Sequence, residues 1–340
     1  MSLRLGRLRR PKKGERYDVV IIGGGPAGLS AAIYAIRFLL KTGVFAENVG
    51  GQLNDTDYVD DYPGMGKIRA SKLIASFRNH AEKYFGVPIY ERVVIEKFEK
   101  IDDVWFRITG RPGIEVYSKA IIMAVGSRRR KLGVPGEREY TGRGVSYCSV
   151  CDAPFYAGKN SVVVVGGGDS ALEGALVLSG YVKKVYLVHR RRQFRAKPWY
   201  VEAARSKGNI EFILDSVVDE IRGDGEKVRS VIVRNKVSGE RREIPVDGVF
   251  IEIGFEPPAE WFKSLGLEVD ERGYIKVDHW MRTNIPGVFA AGDCTNVWIG
   301  FRQIITAAAM GAVAAYSAYN YLAERGLYTP VKHELMGDKP

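Results

Sequence analysis

Two kinds of apolar run alternate along the chain. Asp18-Val-Val-Ile-Ile22 and Ser161-Val-Val-Val-Val165 hold continuous β-branched stretches, the pattern of a strand buried on both faces of a parallel sheet. Each runs into glycines, Gly23-Gly-Gly-Pro-Ala-Gly28 and Gly166-Gly-Gly-Asp-Ser-Ala171. Each then enters an alanine-rich stretch, Leu29–Leu40 or Leu172–Ser179, that reads as a helix. Two such strand–turn–helix units, about 140 residues apart, predict an α/β protein with two dinucleotide-binding (Rossmann-like) domains. Gly43–Ala46 and Val185–Val188 read as the strands that follow the two helices. Val104–Thr109 and Ile114–Tyr117 alternate as half-buried strands, and Lys119–Val125 reads as a further buried one. Later, Tyr274–Val277 and Val288–Ala291 read as strands, and Phe301–Leu322 as a long, mostly buried helix. Two stretches read as linkers: the Arg/Lys-rich Ser127–Pro135, and Gly254–Pro258 with its consecutive prolines.

Composition changes this picture little. The chain has 340 residues, 46% hydrophobic and 27% charged, the balance of a globular protein of about two domains. It has no apolar run of about 18 residues for a membrane span. No apolar segment of about 7–15 residues follows the basic start, so no secretory signal is expected and a cytoplasmic location is. The net charge of +11 is concentrated at the start, where Arg4, Arg7, Arg9, Arg10, Lys12, Lys13 and Arg16 face only Glu15. Residues 1–16 carry +6 of it and read as a solvated basic tail, the rest of the chain is only mildly basic, and no nucleic-acid or membrane partner is expected. Only three glutamines (Gln52, Gln193, Gln303) among so many charges is a thermophile's balance.

Candidate chemistry sits at four places. The first is Gly23-x-Gly25-x-x-Gly28 between a strand and a helix. Gly23 permits the tight turn, Gly25 lets a pyrophosphate approach, and Gly28 lets helix and strand pack. Glu47, 19 residues beyond Gly28, accepts from a ribose 2′-hydroxyl and repels a 2′-phosphate, so the site suits the ADP half of FAD or NAD. The second is Gly166-x-Gly168-x-x-Ala171, whose following strand ends in His189-Arg190-Arg191-Arg192-Gln193-Phe194-Arg195. Guanidinium forks there suit a 2′-phosphate, hence NADP(H), with Arg190, Arg191 and Arg195 as the best candidates. His189 stays open between a ligand contact and a ring packed at the strand end.

The third place is Gly287-Val-Phe-Ala-Ala-Gly-Asp293, a strand that brings a carboxylate toward a helix beginning near Arg302-Gln303. Asp293 suits the ribityl chain of a flavin, and the helix start suits its pyrimidine edge, which favours FAD over NAD. The fourth is Cys148-Ser-Val-Cys151-Asp152. This spacing lets two sulfurs close and reopen a disulfide, with Asp152 placed to carry a proton. Zinc needs four ligands; only Cys294 and four scattered histidines (His80, His189, His279, His333) remain, so no metal is expected. Cys294 has no partner at redox spacing and reads as a small buried residue.

In order along residues 16–326, GGGPAG (23–28), GGQL (50–53), YPG (62–64), CSVCD (148–152), GGGDSA (166–171), HRRRQFR (189–195), GVFAAGD (287–293) and RQ (302–303) stand as a set. The set resembles the low-molecular-weight thioredoxin reductase family of FAD/NADPH pyridine nucleotide-disulfide oxidoreductases. The resemblance implies a discontinuous FAD domain, 16–128 and 255–340, with an NADPH domain over 129–254 inserted between its halves. It implies that Cys148 attacks a partner's disulfide, that Cys151 faces the flavin, and that Asp152 is the acid–base group. It implies FAD contacts from Gly23, Gly25, Pro26, Ala27, Gly28, Glu47, Gly51, Gln52, Val94, Ala124, Gly126, Gly292, Asp293, Arg302, Gln303 and Ile304. NADPH contacts are implied for Gly168, Asp169, Ser170, His189, Arg190, Arg191 and Arg195.

The implied partner is a thioredoxin or glutaredoxin-like protein disulfide, and the implied assembly a homodimer. A rotation about Arg128–Lys131 and Gly254–Glu256 would let nicotinamide and disulfide take turns at the flavin. The sequence departs from the family pattern at Asp61, at Ala124-Val125-Gly126 and at Cys151-Asp152-Ala153-Pro154. Two rival readings are a flavin-dependent NADP reductase serving an iron–sulfur or flavin carrier, which needs no CxxC, and a non-catalytic NADP sensor.

Overall fold

The computed structural model of the chain describes residues 9–55, 58–299 and 301–330; part of the expected basic tail, 1–8, lies outside them. The chain divides into two compact units. One is built from the segments up to Arg128 and from Glu256 onward, the other from Arg129–Phe255.

The first unit opens with β1 (Glu15–Gly24), buried from Tyr17 through Ile22. The helix α1 (Pro26–Arg37) follows directly. It stops short of the expected Leu40 because Leu39 takes a left-handed φ of 57°, which turns the chain back. β2 (Thr42–Val49) then pairs in parallel with β1. After β3 (Ile89–Glu91), β4 (Val94–Lys100), β5 (Phe106–Arg111) and β6 (Ile114–Met123), the strand order is β3-β2-β1-β6-β5-β4. The two expected strands Ile114–Tyr117 and Lys119–Val125 are thus one. Alternating burial gives way to continuous burial at Ala120. Ser118 and Lys119 mislead at the sequence level because both are satisfied locally. The Ser118 hydroxyl donates to Ala120 O (2.6 Å), and Lys119 Nζ pairs with the buried Asp18 Oδ1 at 2.7 Å.

The second unit carries β7 (Val145–Ser146), the single turn α2 (Ser149–Asp152), β8 (Ser161–Gly166), α3 (Asp169–Ser179), β9 (Lys184–Val188) and β10 (Ile210–Ile213). A meander of β11 (Ser216–Gly223), β12 (Val228–Asn235) and β13 (Arg241–Pro245) precedes β14 (Gly248–Glu252). The order β7-β14-β8-β9-β10 is a fully parallel sheet, and β11-β12-β13 a separate antiparallel one. The Arg130 N–H donates to Gly254 O (2.9 Å), so this unit begins and ends side by side.

Back in the first unit, β15 (Val288–Ala290) pairs in parallel with Ile121–Met123 of β6, whose earlier half pairs antiparallel with β5. Tyr274–Val277 is no strand; Ile275 makes only isolated bridges to Val269 and Thr295. The last helix, α4 (Ile304–Glu324), starts three residues later than expected. It lies on α1 so closely that a Cβ at Gly311 would overlap Ala27 O. Among the described residues, no helix is long and apolar enough to cross a membrane.

Gly311→Ala gains about 1 kcal/mol of helix propensity but forces a methyl onto backbone, an overpacking cost of about 1–3 kcal/mol. Thermal denaturation is expected to show a lowered midpoint; a raised one contradicts this contact. Cys294 is 0% exposed, and burial pushes its thiol up to about 12. Because the thiolate is the nucleophile, iodoacetamide is expected to leave Cys294 unmodified in the native protein at pH 8 and to label it after unfolding. Native labelling at the unfolded rate contradicts this burial.

Candidate functional site

The first glycine turn is built where β1 ends. Gly23 takes φ +118°, and a Cβ there would overlap Ala124 O, so the turn rests directly on the end of β6. Above Gly25 the nearest atom to an added Cβ is Gly51 Cα, 4.0 Å away. Gly25 is the N-cap of α1, no side chain caps that helix start, and its first turn holds no acid. Pro26 has no N–H to satisfy, which leaves the following amides facing this gap. The arrangement suits a pyrophosphate.

Around this turn, Gln52 ties together segments far apart in sequence. Its Nε2 donates to Ser127 Oγ (3.1 Å), Ser127 O (3.3 Å) and Asp293 Oδ2 (3.3 Å). Asp293 is half-buried, and burial pushes its carboxyl above the ordinary range despite Arg302 and Gln52. Its Oδ1 takes no hydrogen bond among the described residues. Gly292 precedes it, and Gly126 lies beside Gln52, whose Nε2 is 4.0 Å from where a Cβ on Gly126 would stand. Arg302 turns back onto the loop, donating to Asp293 O and to Thr295 O (3.3 Å) with its guanidinium over the Tyr274 ring. Gln303 is the N-cap of α4, its N–H donating to Thr306 Oγ1 (3.1 Å), and Ile304 opens the helix.

Two expected residues stand at the edge of this group. Glu47 lies inside β2 rather than at its end. Its carboxylate is exposed and 3.7 Å from the equally exposed Arg128 Nη2, a pair worth little in water. Val94 is set beside β2 by the Val93 N–H, which donates to Ala46 O (3.0 Å). An uncapped helix start over open backbone, a carboxylate oxygen without a hydrogen bond and a second helix start together fit a flavin dinucleotide.

The second turn repeats this plan in the other unit. Gly168 caps α3 without a side-chain bond, and a Cβ there would meet nothing within 4 Å. Asp169 faces its own unit, accepting the Lys197 N–H (2.7 Å), while Ser170 is exposed. His189 is 7% exposed, stacked on Phe194 at 4.9 Å, with Nε2 against Gln193 O at 3.1 Å. Burial pushes its imidazole below the ordinary value, so near neutral pH the ring is uncharged and shapes the loop. Of the neighbouring arginines, Arg192 pairs with Asp215 at 2.7 Å. Arg190, Arg191 and Arg195 are exposed and make no ion pair among the described residues. Three uncommitted guanidinium groups beside an uncapped helix start fit a nucleotide bearing a 2′-phosphate.

Cys148 and Cys151 form a disulfide in the same unit. Cys148 is the N-cap of α2, and its Sγ accepts the Cys151 N–H at 3.2 Å. Asp152 ends the turn, half-buried, its N–H donating to Cys148 O (3.2 Å). Two residues beside Cys148 carry contacts that motif reading gave no hint of. Tyr147 OH donates to Glu137 Oε1 (2.8 Å), and the buried Glu137 also accepts the N–H groups of Leu132 (3.0 Å) and Gly133 (2.7 Å). Ser149 bonds Glu252. Neither glutamate belongs to a motif; only the fold brings them to the cysteines. No cluster of three or more His, Cys, Asp or Glu suited to a metal occurs among the described residues.

Comparison with known proteins places this geometry. Residues 17–311 match the model of the pyridine nucleotide-disulphide oxidoreductase family. A thioredoxin reductase of Listeria innocua is 43% identical over 91% of this chain and 94% of its own length. The crystal structure of Lactococcus lactis thioredoxin reductase superposes with a TM-score of 0.80 at 42% identity, covering 91% of this chain and 99% of that one. That of T. acidophilum thioredoxin reductase gives a TM-score of 0.77 at 38% identity, covering 90% of this chain and 98% of that one. With both glycine turns and the disulfide in place, the chain belongs to the pyridine nucleotide-disulphide oxidoreductase family, among its thioredoxin reductases.

Proposed function

We propose that this chain reduces the disulfide of thioredoxin at the expense of NADPH, using FAD and its own Cys148–Cys151 pair. The observation that carries the reading is the Cys148–Cys151 disulfide, placed in the same unit as the second nucleotide turn. When bound, FAD supplies a two-electron relay between a reduced nicotinamide and a disulfide.

The residues divide the work as follows. The first unit holds FAD: Gly23, Gly25, Pro26, Ala27 and Gly28 take the pyrophosphate, and Glu47 the ribose. Gly51, Gln52, Val94, Ala124, Gly126, Gly292, Asp293, Arg302, Gln303 and Ile304 surround the remainder. The second unit holds NADPH at Gly168, Asp169 and Ser170, with Arg190, Arg191 and Arg195 on the 2′-phosphate and His189 bracing their loop. Once reduced, the Cys148 thiolate attacks one sulfur of the partner, and the partner's other sulfur leaves and takes a proton. Cys151 then attacks Cys148 Sγ, which releases the reduced partner and closes the Cys148–Cys151 bond again. Asp152, next to Cys151, moves the proton between the sulfur and solvent. A glutaredoxin-like partner, a homodimer and a cytoplasmic setting complete the reading and rest on the family resemblance. The rival NADP reductase leaves the disulfide without a task.

Cys148→Ser is expected to lower NADPH-dependent reduction of thioredoxin about a thousandfold or more, while electron transfer to ferricyanide continues. A variant that reduces thioredoxin at the full rate excludes the reading. Arg191→Ala removes a charge-assisted contact and is expected to raise KM for NADPH about tenfold while leaving KM for NADH nearly unchanged. Equal changes for both nucleotides, in steady-state kinetics, place the 2′-phosphate elsewhere.

A further inference from the structure

Glu252 closes β14, and no step above uses it. Its side chain is 10% exposed. Oε1 accepts both the Ser149 N–H (2.9 Å) and the Ser149 hydroxyl (3.0 Å), and Oε2 lies 3.6 Å from Arg129 Nη1. Ser149 is the residue after Cys148, and it is 1% exposed. It is pressed against α3 so tightly that a Cβ on Gly174 would stand 2.5 Å from its Oγ. On the other side of Cys148, Arg129 donates to Tyr147 O. α2 is a single turn of four residues, too short to persist unaided, so these contacts fix where it sits.

The same contacts place charge. Burial pushes the Glu252 carboxyl above its ordinary range, while the Ser149 donors and Arg129 favour its ionised form. Glu173 on α3 is a second carboxylate acting on it. Opening the disulfide creates a thiolate next to Ser149, the residue whose N–H and hydroxyl this buried carboxylate accepts, and two like charges so placed disfavour one another.

We propose that Glu252 is a positioning residue that sets the redox poise of the Cys148–Cys151 pair. It holds Ser149 in place, and its charge makes the thiolate costly, so the opened pair is the stronger electron donor. The proposal rests on reading Cys148–Cys151 as the electron-carrying pair.

The test equilibrates the flavin-loaded full chain at pH 8 with mixtures of reduced and oxidised dithiothreitol. In that exchange the Cys148–Cys151 bond breaks and each sulfur takes an electron, with the two protons going to the sulfurs or, where one stays a thiolate, to solvent. Dithiothreitol loses two electrons and two protons and closes its own disulfide. Alkylation and peptide mass then give the reduced fraction. Glu252→Gln keeps an acceptor for Ser149 and removes the charge. It is expected to shift the equilibrium about tenfold toward the dithiol, or about 30 mV, and to lower the midpoint of the alkylation–pH profile. A folded variant with an unchanged equilibrium, or one shifted toward the disulfide, overturns the proposal. Arg129→Gln leaves the carboxylate uncompensated and is expected to shift the equilibrium several-fold the opposite way. Should Glu252→Gln fail to fold, an unmoved equilibrium in Arg129→Gln overturns it. If NADPH fails to open the wild-type disulfide while these shifts persist, the proposed function is wrong and the role of Glu252 stands.

Discussion

Helix starts must rest on strand ends with no side chain between them. At the end of β1 this is literal: Gly23 lies on Ala124 O and Gly28 of α1 lies on Gly23 O, while α4 backs the same turn through Gly311, which lies on Ala27 in the first turn of α1. The sheet thereby lifts an uncapped row of amides to its carboxyl edge, the place where a parallel α/β sheet leaves room for a nucleotide. Asp293 and Gln52 reach the same edge because β15 and the turn after β2 end there. Widening any one of these backbone contacts by a methyl displaces the amides that a phosphate needs. The fold therefore determines what binds before any charged side chain is counted.

Charge then separates the two nucleotide turns. The first has a single exposed carboxylate, Glu47, facing an exposed arginine across 3.7 Å, and such a pair is weak in water. The second has a run of arginines, of which Arg192 is already spent on Asp215. A guanidinium committed to a carboxylate has little left for a phosphate, so in the proposed reading Arg190, Arg191 and Arg195 are the groups left for that contact. His189, neutral and stacked on Phe194, contributes shape rather than charge.

Much of this was legible in the sequence, and what was missed was decided by contacts between distant segments. Strand–glycine–helix units are local, so their periodicity and turn residues announced both of them. The CxxC pair is local too. The split of β6 was misread because Ser118 and Lys119 look like surface residues, whereas hydrogen bonding to Ala120 O and pairing with Asp18 allow them into a buried strand. Tyr274–Val277 has a strand's composition but no neighbour along its length. The meander β11–β12–β13 escaped notice because its charged outer face, with Asp219 shared between Arg234 and Arg241, dilutes the apolar alternation. Glu137 and Glu252 were invisible for a plainer reason. Each meets its partners only through tertiary contact, and a lone glutamate near a strand end carries no signature.

The central claim is that electrons from NADPH open the Cys148–Cys151 bond within this one chain. The most direct measurement adds NADPH to the flavin-loaded protein without oxygen or thioredoxin, quenches with an alkylating reagent, and maps the labelled cysteines by peptide mass. The account predicts label on Cys148 and Cys151 and none on Cys294. An intact Cys148–Cys151 disulfide after the nicotinamide has been consumed would contradict it.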